Sequence, residues 1–248
     1  MGYTLIKLVL SPILRLFYRI EVVGRDHLPK RGAVILAANH VSFLDNLIIP
    51  LIAGRRVTFL AKAEYFEDRR VAWFFRLGGQ IPIKREGGSA ADRALAAARE
   101  VLEAGGALGI YPEGTRSPDG RLYKGRTGAA RMALACKVPV VPIGLRGTAE
   151  AQPIGARVPR PFGTITVTIA PPLRWDDEAD DHVDRDTLRR VTDEIVDAIG
   201  AITGQVRVAH YAKRHGSEED SRAPGPPEHA SNSLSAPASA DDPRVLAD

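Results

Sequence analysis

A short apolar run from Ala33 to Ala38 constrains the fold more than any other feature, because its six residues include no polar side chain. A run of this length and composition predicts a buried strand. Two polar residues, Asn39 and His40, follow it directly. Open α/β sheets bind their ligands at the carboxyl ends of the strands, so a functional site is expected immediately after this strand.

The rest of the chain alternates helical and strand patterns, which is typical of an α/β fold. Helices are predicted for 89–103, about 127–136 and the apolar stripe at 188–202, and strands for 107–111, 138–143 and 164–170. A chain of 248 residues with 44% hydrophobic residues can form one core, and nothing suggests a second folded domain. We expect a single α/β domain over 25–212, with a mixed central sheet flanked by helices. The polar, aromatic-poor segment 213–248 is predicted to be a disordered tail.

His40 and Asp45 offer a general base and a carboxylate to orient it, five residues apart in the sequence. On one regular helix these positions would point roughly 140° apart, so we expect His40 to precede the helix and fold back over its first turn. Ser42 is a suitable N-cap, and the helix is predicted to begin near Phe43. Because Ser-x-x-Asp is also a capping pattern, a purely capping role for Asp45 stays open.

The His-x4-Asp spacing alone is weak evidence, because His215 and Asp220 repeat it inside the polar tail. Context separates the two copies, since only His40 follows a predicted strand. Ser42 is a rival candidate as a covalent nucleophile. It lacks the Gly-x-Ser-x-Gly elbow that typically exposes such a serine, so a base without a protein nucleophile is favoured.

Three further blocks follow in the sequence: Gly79-Gln-Ile-Pro-Ile-Lys-Arg85, Glu113-Gly-Thr-Arg-Ser117 and Val138-Pro-Val-Val-Pro-Ile143. Together with Asn39-His40-x-Ser42-x-x-Asp45, they resemble the signatures of the glycerolipid acyltransferases that make lysophosphatidate and phosphatidate. The resemblance spans about residues 30 to 175. Pro82 departs from the family's second block, where an aromatic residue is common. A proline here predicts an edge strand or a loop.

The resemblance implies roles for particular residues. It makes His40 the general base and Asp45 its orienting partner, with Glu113 helping to position the acceptor. The acceptor's phosphate would be bound by Arg85 and Arg116. The other substrate-binding residues would be Lys84, Gly114 and Thr115. Two guanidinium groups can hold a phosphate through bidentate hydrogen bonds, and a glycine lets the backbone turn tightly beside them. Without the resemblance, these segments would be interpreted as a solvated basic loop and as a turn after a strand.

The reaction that the resemblance implies is fatty acyl transfer from acyl-CoA or acyl carrier protein to lysophosphatidate, which gives phosphatidate. Acylation of glycerol 3-phosphate or another lysophospholipid is one alternative, and a non-catalytic protein that binds anionic lipids is another. His40 and Asp45 favour an enzyme, because a binding module has no need of a base. No metal or organic cofactor is required, and the six histidines and one cysteine lack zinc-ligand spacing.

Residues 1–24 are predicted to form an amphipathic helix at the membrane interface. Its narrow polar stripe would consist of residues spaced by four, Lys7, Ser11, Arg15 and Arg19. The uncharged stretch between the lysine and the first arginine has seven residues, against the roughly 20 needed to span a bilayer. A helix lying in the headgroup plane is therefore favoured. Packing of this helix on its own domain, with a kink at Pro12, is the alternative.

Charge and cysteine content constrain the partners and the compartment. The net charge is +4, but the positive charge centres on the apolar N-terminal helix, so no nucleic-acid partner is expected. Cys136 is the only cysteine, which favours a reducing cytoplasm. We expect a peripheral or monotopic protein on the cytoplasmic face of the cell membrane, whose partners are the membrane surface, a lysophospholipid and the acyl donor. Trp73 to Leu77 is a second apolar segment, suited to the core or to membrane contact.

Overall fold

The predicted apolar strand lies in the middle of a seven-stranded mixed sheet. The computed structural model describes residues 2–67, 69, 72–83, 90–156, 158–178 and 183–213. Its strands, in chain order, are β1 (Tyr18–Val23), β2 (Val34–Ala38), β3 (Val57–Lys62), β4 (Ile81–Ile83), β5 (Ala107–Ile110), β6 (Val140–Arg146) and β7 (Gly163–Ile169). They are ordered β1-β7-β6-β2-β5-β3-β4, and neighbours are parallel except for β6 and β7. The prediction of an α/β domain with a mixed sheet is confirmed.

Helices cover both faces of this sheet. In chain order they are α1 (Gly2–Phe17), α2 (Asp45–Ala53), α3 (Glu64–Glu67), α4 (Ala72–Gly78), α5 (Ala90–Glu103), α6 (Gly128–Cys136), α7 (Thr148–Ala151) and α8 (Arg185–Thr203). The predicted start of α2 near Phe43 is wrong, because Phe43 and Leu44 form the turn before it. The strand predicted for 138–143 runs later, from Val140 to Arg146.

The middle strand β2 is buried on both faces, which explains why its sequence shows no polar alternation. Successive side chains of a strand point to opposite faces. Leu36 therefore joins the apolar cluster that includes α2, whereas Ile35 joins the cluster that includes α5, α6 and α8. The strand is held between two cores, and its carboxyl end is fixed in position.

The carboxyl ends of β2, β5 and β6 meet at one edge of the sheet, because these strands are parallel neighbours. After β2 the chain proceeds through α2 to β3 on one side, and after β5 it crosses through α6 to β6 on the other. The direction of progression reverses around β2, and α/β sheets bind ligands at such a switch point. The segments that emerge there, Asn39 to Asp45 and Tyr111 to Ser117, contain the first and third predicted motifs.

Pro82 lies in β4, at the edge of the sheet. This strand pairs only with β3 among the described strands. A proline has no N–H to donate to a second neighbour, so an edge position is where a strand tolerates it. The prediction of an edge strand at Pro82 is confirmed.

The N-terminal helix is shorter than predicted. α1 ends at Phe17, and the chain continues directly into β1, which pairs with β7. The predicted boundary at residue 24 is therefore wrong, because residues 18–23 belong to the sheet and Arg19 lies on a strand. Leu14 is buried and Leu10 packs against the same cluster, so one side of α1 rests on the domain.

Two other predictions concern the ends of the chain. Among the helices of the described residues, none combines the length and the apolar character needed to cross a membrane. The predicted disordered tail falls, from residue 214 onward, outside the described residues. Residues 2–213, where described, belong to one compact unit.

Candidate active site

His40 and Asp45 form a hydrogen-bonded pair just beyond the carboxyl end of β2. The imidazole Nδ1 lies 2.9 Å from Asp45 Oδ2. The Asp45 side chain is fully buried, while the His40 side chain is 14% exposed. A carboxylate that accepts the Nδ1–H selects the tautomer in which Nε2 carries a lone pair. The pair is therefore arranged to take a proton from a hydroxyl group that approaches Nε2.

The same carboxylate oxygen also closes the turn before α2. Asp45 Oδ2 accepts the backbone N–H groups of Val41 and Ser42, each at 2.8 Å. One oxygen thus both pairs with the imidazole and holds the turn before the helix. The predicted N-cap at Ser42 is wrong, because Asp45 is the first helical residue and Leu44 occupies the N-cap position. The Ser42 hydroxyl is buried, accepts the Leu44 N–H at 3.2 Å and donates to the Gln152 carbonyl at 2.9 Å. These contacts leave it poorly placed to act as a nucleophile.

The loop after β5 holds the backbone of His40 from two sides. Glu113 Oε1 accepts the His40 N–H at 3.2 Å, and the Ser117 N–H donates to the His40 carbonyl at 2.7 Å. Glu113 Oε2 accepts the Tyr123 N–H at 2.9 Å. The loop between β5 and α6 therefore fixes the peptide from which the imidazole projects.

Glu113 is fully buried, with both carboxylate oxygens engaged by backbone N–H groups. Burial raises the pKa of its carboxyl group to about 7, and the negative charges of Asp45 and Asp119 act in the same direction. The hydrogen bonds from Tyr123 and His40 oppose this rise in pKa. The resemblance implied that Glu113 helps to position the acceptor. In this geometry it can do so only through the loop that it holds.

Tyr111 lies flat against the His40 imidazole. The two ring centroids are 3.8 Å apart and the ring planes differ by 10°. The Tyr111 hydroxyl donates to Asn46 Oδ1 at 3.1 Å, and the Phe59 ring stacks on Tyr111 at 5.4 Å. Burial, with a smaller contribution from the Asp45 charge, raises the pKa of the Tyr111 phenol well above its usual value, so it remains a donor. The stacked ring restricts the orientation of the imidazole.

A tight turn leads from Tyr111 to Arg116. The Gly114 N–H donates to the Tyr111 carbonyl at 2.9 Å, and Gly114 has a φ of 74°. Glycine adopts this left-handed region without strain, and a Cβ here would lie 2.9 Å from the Arg126 side chain. Thr115 and Arg116 are half-buried, and Arg116 makes no ion pair with another described residue. The predicted turn is present, and it places a cation next to the peptide that binds His40.

Lys84 and Arg85 lie outside the described residues. The strand before them, β4, ends at Ile83 and runs parallel to β3, which is parallel to β5. Its carboxyl end therefore lies at the same edge of the sheet as His40. The role of these two cations as phosphate ligands stays a prediction.

Asn39 connects the strand end to β6. Its Nδ2 donates to the Leu145 carbonyl at 2.9 Å, and the Leu145 N–H donates to its Oδ1 at 2.8 Å. The side-chain amide thus imitates a backbone pairing and continues the contact between β2 and β6 beyond Ala38. This buried asparagine therefore fixes the backbone directly before His40.

Sequence reasoning assigned no role to Tyr111, Ser117 or Tyr123. An aromatic residue directly before Pro112 was visible in the sequence, but its stacking partner was not. Ser117 and Tyr123 hold the site through their backbone N–H groups. No side-chain pattern indicates such contacts.

The sequence of the chain is similar to those of known proteins. A family model described as Acyltransferase matches residues 19–146. The chain is 34% identical over 158 residues to the chloroplastic 1-acyl-sn-glycerol-3-phosphate acyltransferase LPAT1 of Arabidopsis thaliana, covering 63% of this chain and 44% of that one. It is 30% identical over 130 residues to the 1-acyl-sn-glycerol-3-phosphate acyltransferase of Borreliella burgdorferi, covering 52% of each. The matched part spans about half of these curated relatives, or less.

A similar solved structure is that of the 1-acyl-sn-glycerophosphate acyltransferase PlsC from Thermotoga maritima. It is 28% identical, with a TM-score of 0.62, and the match covers 82% of this chain and 81% of that one. The family model covers just over half of the chain and includes the His40 and Glu113 segments. The chain therefore belongs to the Acyltransferase family.

Proposed function

We propose that this protein transfers a fatty acyl group from an acyl thioester to the free hydroxyl of lysophosphatidate, giving phosphatidate. The observation that carries the proposal is the 2.9 Å pair of His40 Nδ1 and Asp45 Oδ2 at the switch point of the sheet. Such a pair can deprotonate an alcohol. The names of the relatives and of the similar structure support this choice of acceptor.

In the proposed reaction, His40 Nε2 takes the proton of the acceptor hydroxyl while its oxygen attacks the thioester carbonyl carbon. The tetrahedral intermediate then breaks its carbon–sulfur bond. The leaving thiolate of coenzyme A or acyl carrier protein receives the proton from the imidazolium. Asp45 stabilises the imidazolium through Nδ1. Transfer is direct, without an acyl-enzyme, and requires no metal or organic cofactor; the engaged Ser42 hydroxyl supports this route.

The acceptor's phosphate is bound by Arg116 and Arg85 in this proposal, with Lys84 adding positive charge. Arg116 directly precedes Ser117, whose N–H donates to the His40 carbonyl. Arg116 therefore lies close to His40 in the chain fold, which suits an acceptor whose phosphate lies near the hydroxyl group that reacts. Lysophosphatidate is such an acceptor, and glycerol 3-phosphate is the principal alternative.

The protein acts at the cytoplasmic face of the cell membrane in this proposal, as a peripheral or monotopic enzyme. Support comes from large apolar side chains on the outer side of α1 that are 44% to 73% exposed, namely Leu8, Val9, Ile13 and Leu16. Trp73 and Leu77 of α4 are also exposed, and α4 contacts α1. Apolar surface of this extent is typical of a membrane contact.

The experiment is an acyl-transfer assay in mixed micelles, with acyl-CoA and acyl carrier protein as alternative donors. The acceptors are lysophosphatidate, glycerol 3-phosphate, lysophosphatidylcholine and monoacylglycerol. We expect thioester-dependent acylation that is fastest with lysophosphatidate. Equal rates with monoacylglycerol would exclude phosphate recognition. Vesicle binding without turnover on any acceptor would favour the non-catalytic lipid-binding alternative.

Arg116→Gln tests the phosphate contact within the same assay. Loss of a charge-assisted hydrogen bond should raise the KM for lysophosphatidate about tenfold to a hundredfold. Arg131→Gln is the matched control, because Arg131 is exposed on α6. Its KM should stay within about twofold of the native value. An unchanged KM in Arg116→Gln would remove this residue from the phosphate site.

A further inference from the structure

A cavity of about 470 Å³ lies between α1, β1 and α2, apart from the His40 site. Its lining includes three arginines together with aromatic and apolar side chains, namely Arg15, Arg19, Arg25, Tyr18, Leu51 and Ile52. Strands β7 and β6 separate β1 from β2. At the usual strand spacing, β1 therefore runs about 14 Å from the strand that carries His40.

The cavity combines positive charge with an apolar wall. Its arginines come from three different elements, α1, β1 and the 3-10 turn Arg25–His27, and all three are exposed. One acid offsets part of this charge, since Glu21 Oε1 accepts from Arg19 Nε at 2.8 Å. The net charge of the lining stays positive, and the part of the lining that α2 contributes is apolar. Guanidinium groups beside hydrocarbon suit a ligand whose phosphate is joined to an apolar chain.

The cavity borders the exposed apolar side of α1. In a regular helix of 3.6 residues per turn, Arg15 lies about 20° around the axis from Leu8. Leu8 and Leu16 are 71% and 73% exposed, whereas Leu14, on the other side, is buried in the core. Arg15 thus stands where the exposed apolar side of the helix meets the cavity. A lipid whose tails lie beside α1 would bring its phosphate to the arginines.

We propose that this cavity binds the phosphate headgroup of an anionic phospholipid, as a second site distinct from the catalytic one. The lipid anchors the protein on negatively charged membrane and fixes how α1 lies on it. This inference rests on the membrane orientation in the proposed function, but not on the assignment of His40.

The test is cosedimentation of the full chain with vesicles of phosphatidylcholine alone and of phosphatidylcholine mixed with phosphatidate. Arg15→Gln/Arg25→Gln removes two cavity charges. Arg131→Gln/Arg185→Gln removes two exposed charges from α6 and α8 and is the matched control. We expect the cavity variant to bind the anionic vesicles about tenfold more weakly, and the control to change by less than about twofold. Equal losses in both variants would show general charge attraction and overturn the site.

A second variant fills the cavity and keeps its charges. Val22 lines the cavity and is half-buried, so Val22→Trp should exclude the headgroup and weaken anionic-vesicle binding to a similar extent. Circular dichroism and thermal unfolding establish that each variant is folded. Native affinity in a folded Val22→Trp protein would place the interaction on the outer surface and overturn the proposal.

Two further measurements distinguish lipid binding in this cavity from the binding of free phosphate and from binding at the His40 site. Titration with inorganic phosphate in place of vesicles should give no measurable binding. Phosphate binding that disappears in the cavity variant would identify free phosphate as the ligand and overturn the lipid assignment. Arg116→Gln, which removes a proposed phosphate contact at the His40 site, should bind anionic vesicles like the native protein, and weaker binding would place the lipid at that site. Failure of the catalytic proposal would therefore leave this result unchanged.

Discussion

Asp45 Oδ2 accepts hydrogen bonds from the His40 ring and from two backbone N–H groups. Asp45→Asn keeps an oxygen for the backbone but offers an amide group that favours the wrong imidazole tautomer. We expect kcat to fall about a hundredfold or more, as when a buried orienting aspartate is replaced. The free energy of unfolding should change by only about 1 kcal/mol, measured in urea. A kcat within about twofold of native would contradict the orienting role.

Glu113 predicts a pH dependence of stability. Burial raises its pKa from 4.5 to about 7 in the folded state, so the folded protein binds more protons than the unfolded chain between these values. Its contribution to stability is therefore fully present below about pH 4.5 and is lost as pH rises through about 7. The total loss is on the order of a few kcal/mol.

The measurement is the free energy of unfolding against pH for the native protein and for Glu113→Gln. The glutamine does not titrate, so the difference between the two proteins isolates this group. The free energy of unfolding of the native protein should decrease relative to that of Glu113→Gln as pH rises from about 4.5 to above 7. A constant difference across that range would mean that the carboxyl group has an ordinary pKa.

The sequence was sufficient to predict the pairing of His40 with Asp45. The strand pattern placed His40 after β2, and the helix pattern placed Asp45 at the start of α2, so that only a short turn separates them. The contact of Tyr111 with His40 was not predictable in this way. The pairing of β2 with β5 brings residues 40 and 111 together. These residues are far apart in the sequence, so no local pattern predicts that their rings stack. A pattern within one segment records only local constraints.

The element that supports the site from outside is the segment 206–212 after α8. The Leu122 N–H donates to the Val206 carbonyl at 3.0 Å, and the Val208 N–H donates to the Leu122 carbonyl at 2.8 Å. The Lys124 N–H donates to the His210 carbonyl at 3.1 Å. These bonds hold the stretch that contains Tyr123, whose N–H binds Glu113. The segment therefore stabilises the loop around His40.

Val208→Asp tests this support. Val208 is 7% exposed and packs in a small cluster with Tyr123, so a charge there should detach the segment. We expect kcat to fall about tenfold or more and the unfolding temperature to decrease. Val206→Asp is the control, since Val206 belongs to the same segment but is 68% exposed. Equal activity of the two variants would show that the segment does not act on the site.

Sequence patterns predicted the strands β2, β5, β6 and β7 and the helices α5, α6 and α8, but they did not predict the strands β1 and β3. The spacing of Lys7, Ser11, Arg15 and Arg19 continues a helical pattern past Phe17, although β1 begins at Tyr18. The helix ends there because the following residues pair with β7. The side-chain pattern of the N-terminal segment alone does not predict this pairing. Segment 206–212 forms only an isolated bridge, between Arg207 and Leu122, so it carries no strand pattern.

At the scale of the whole molecule, α1 and α2 cover the same face of the sheet. α2 begins at Asp45, the partner of His40, and α1 presents exposed apolar side chains. A membrane surface bound by α1 would therefore lie on the side of the sheet where the His40 site begins. An acceptor that resides in the membrane could reach the base without leaving the lipid surface.

The central claim is that His40 is the base in acyl transfer to lysophosphatidate. Its most direct test is kcat/KM with this acceptor for the native chain, His40→Ala and His215→Ala. His215 has the same spacing to an aspartate, at position 220, and serves as the matched control. We predict a loss of about a thousandfold for His40→Ala and none for His215→Ala. Near-native turnover in a folded His40→Ala protein would contradict the claim.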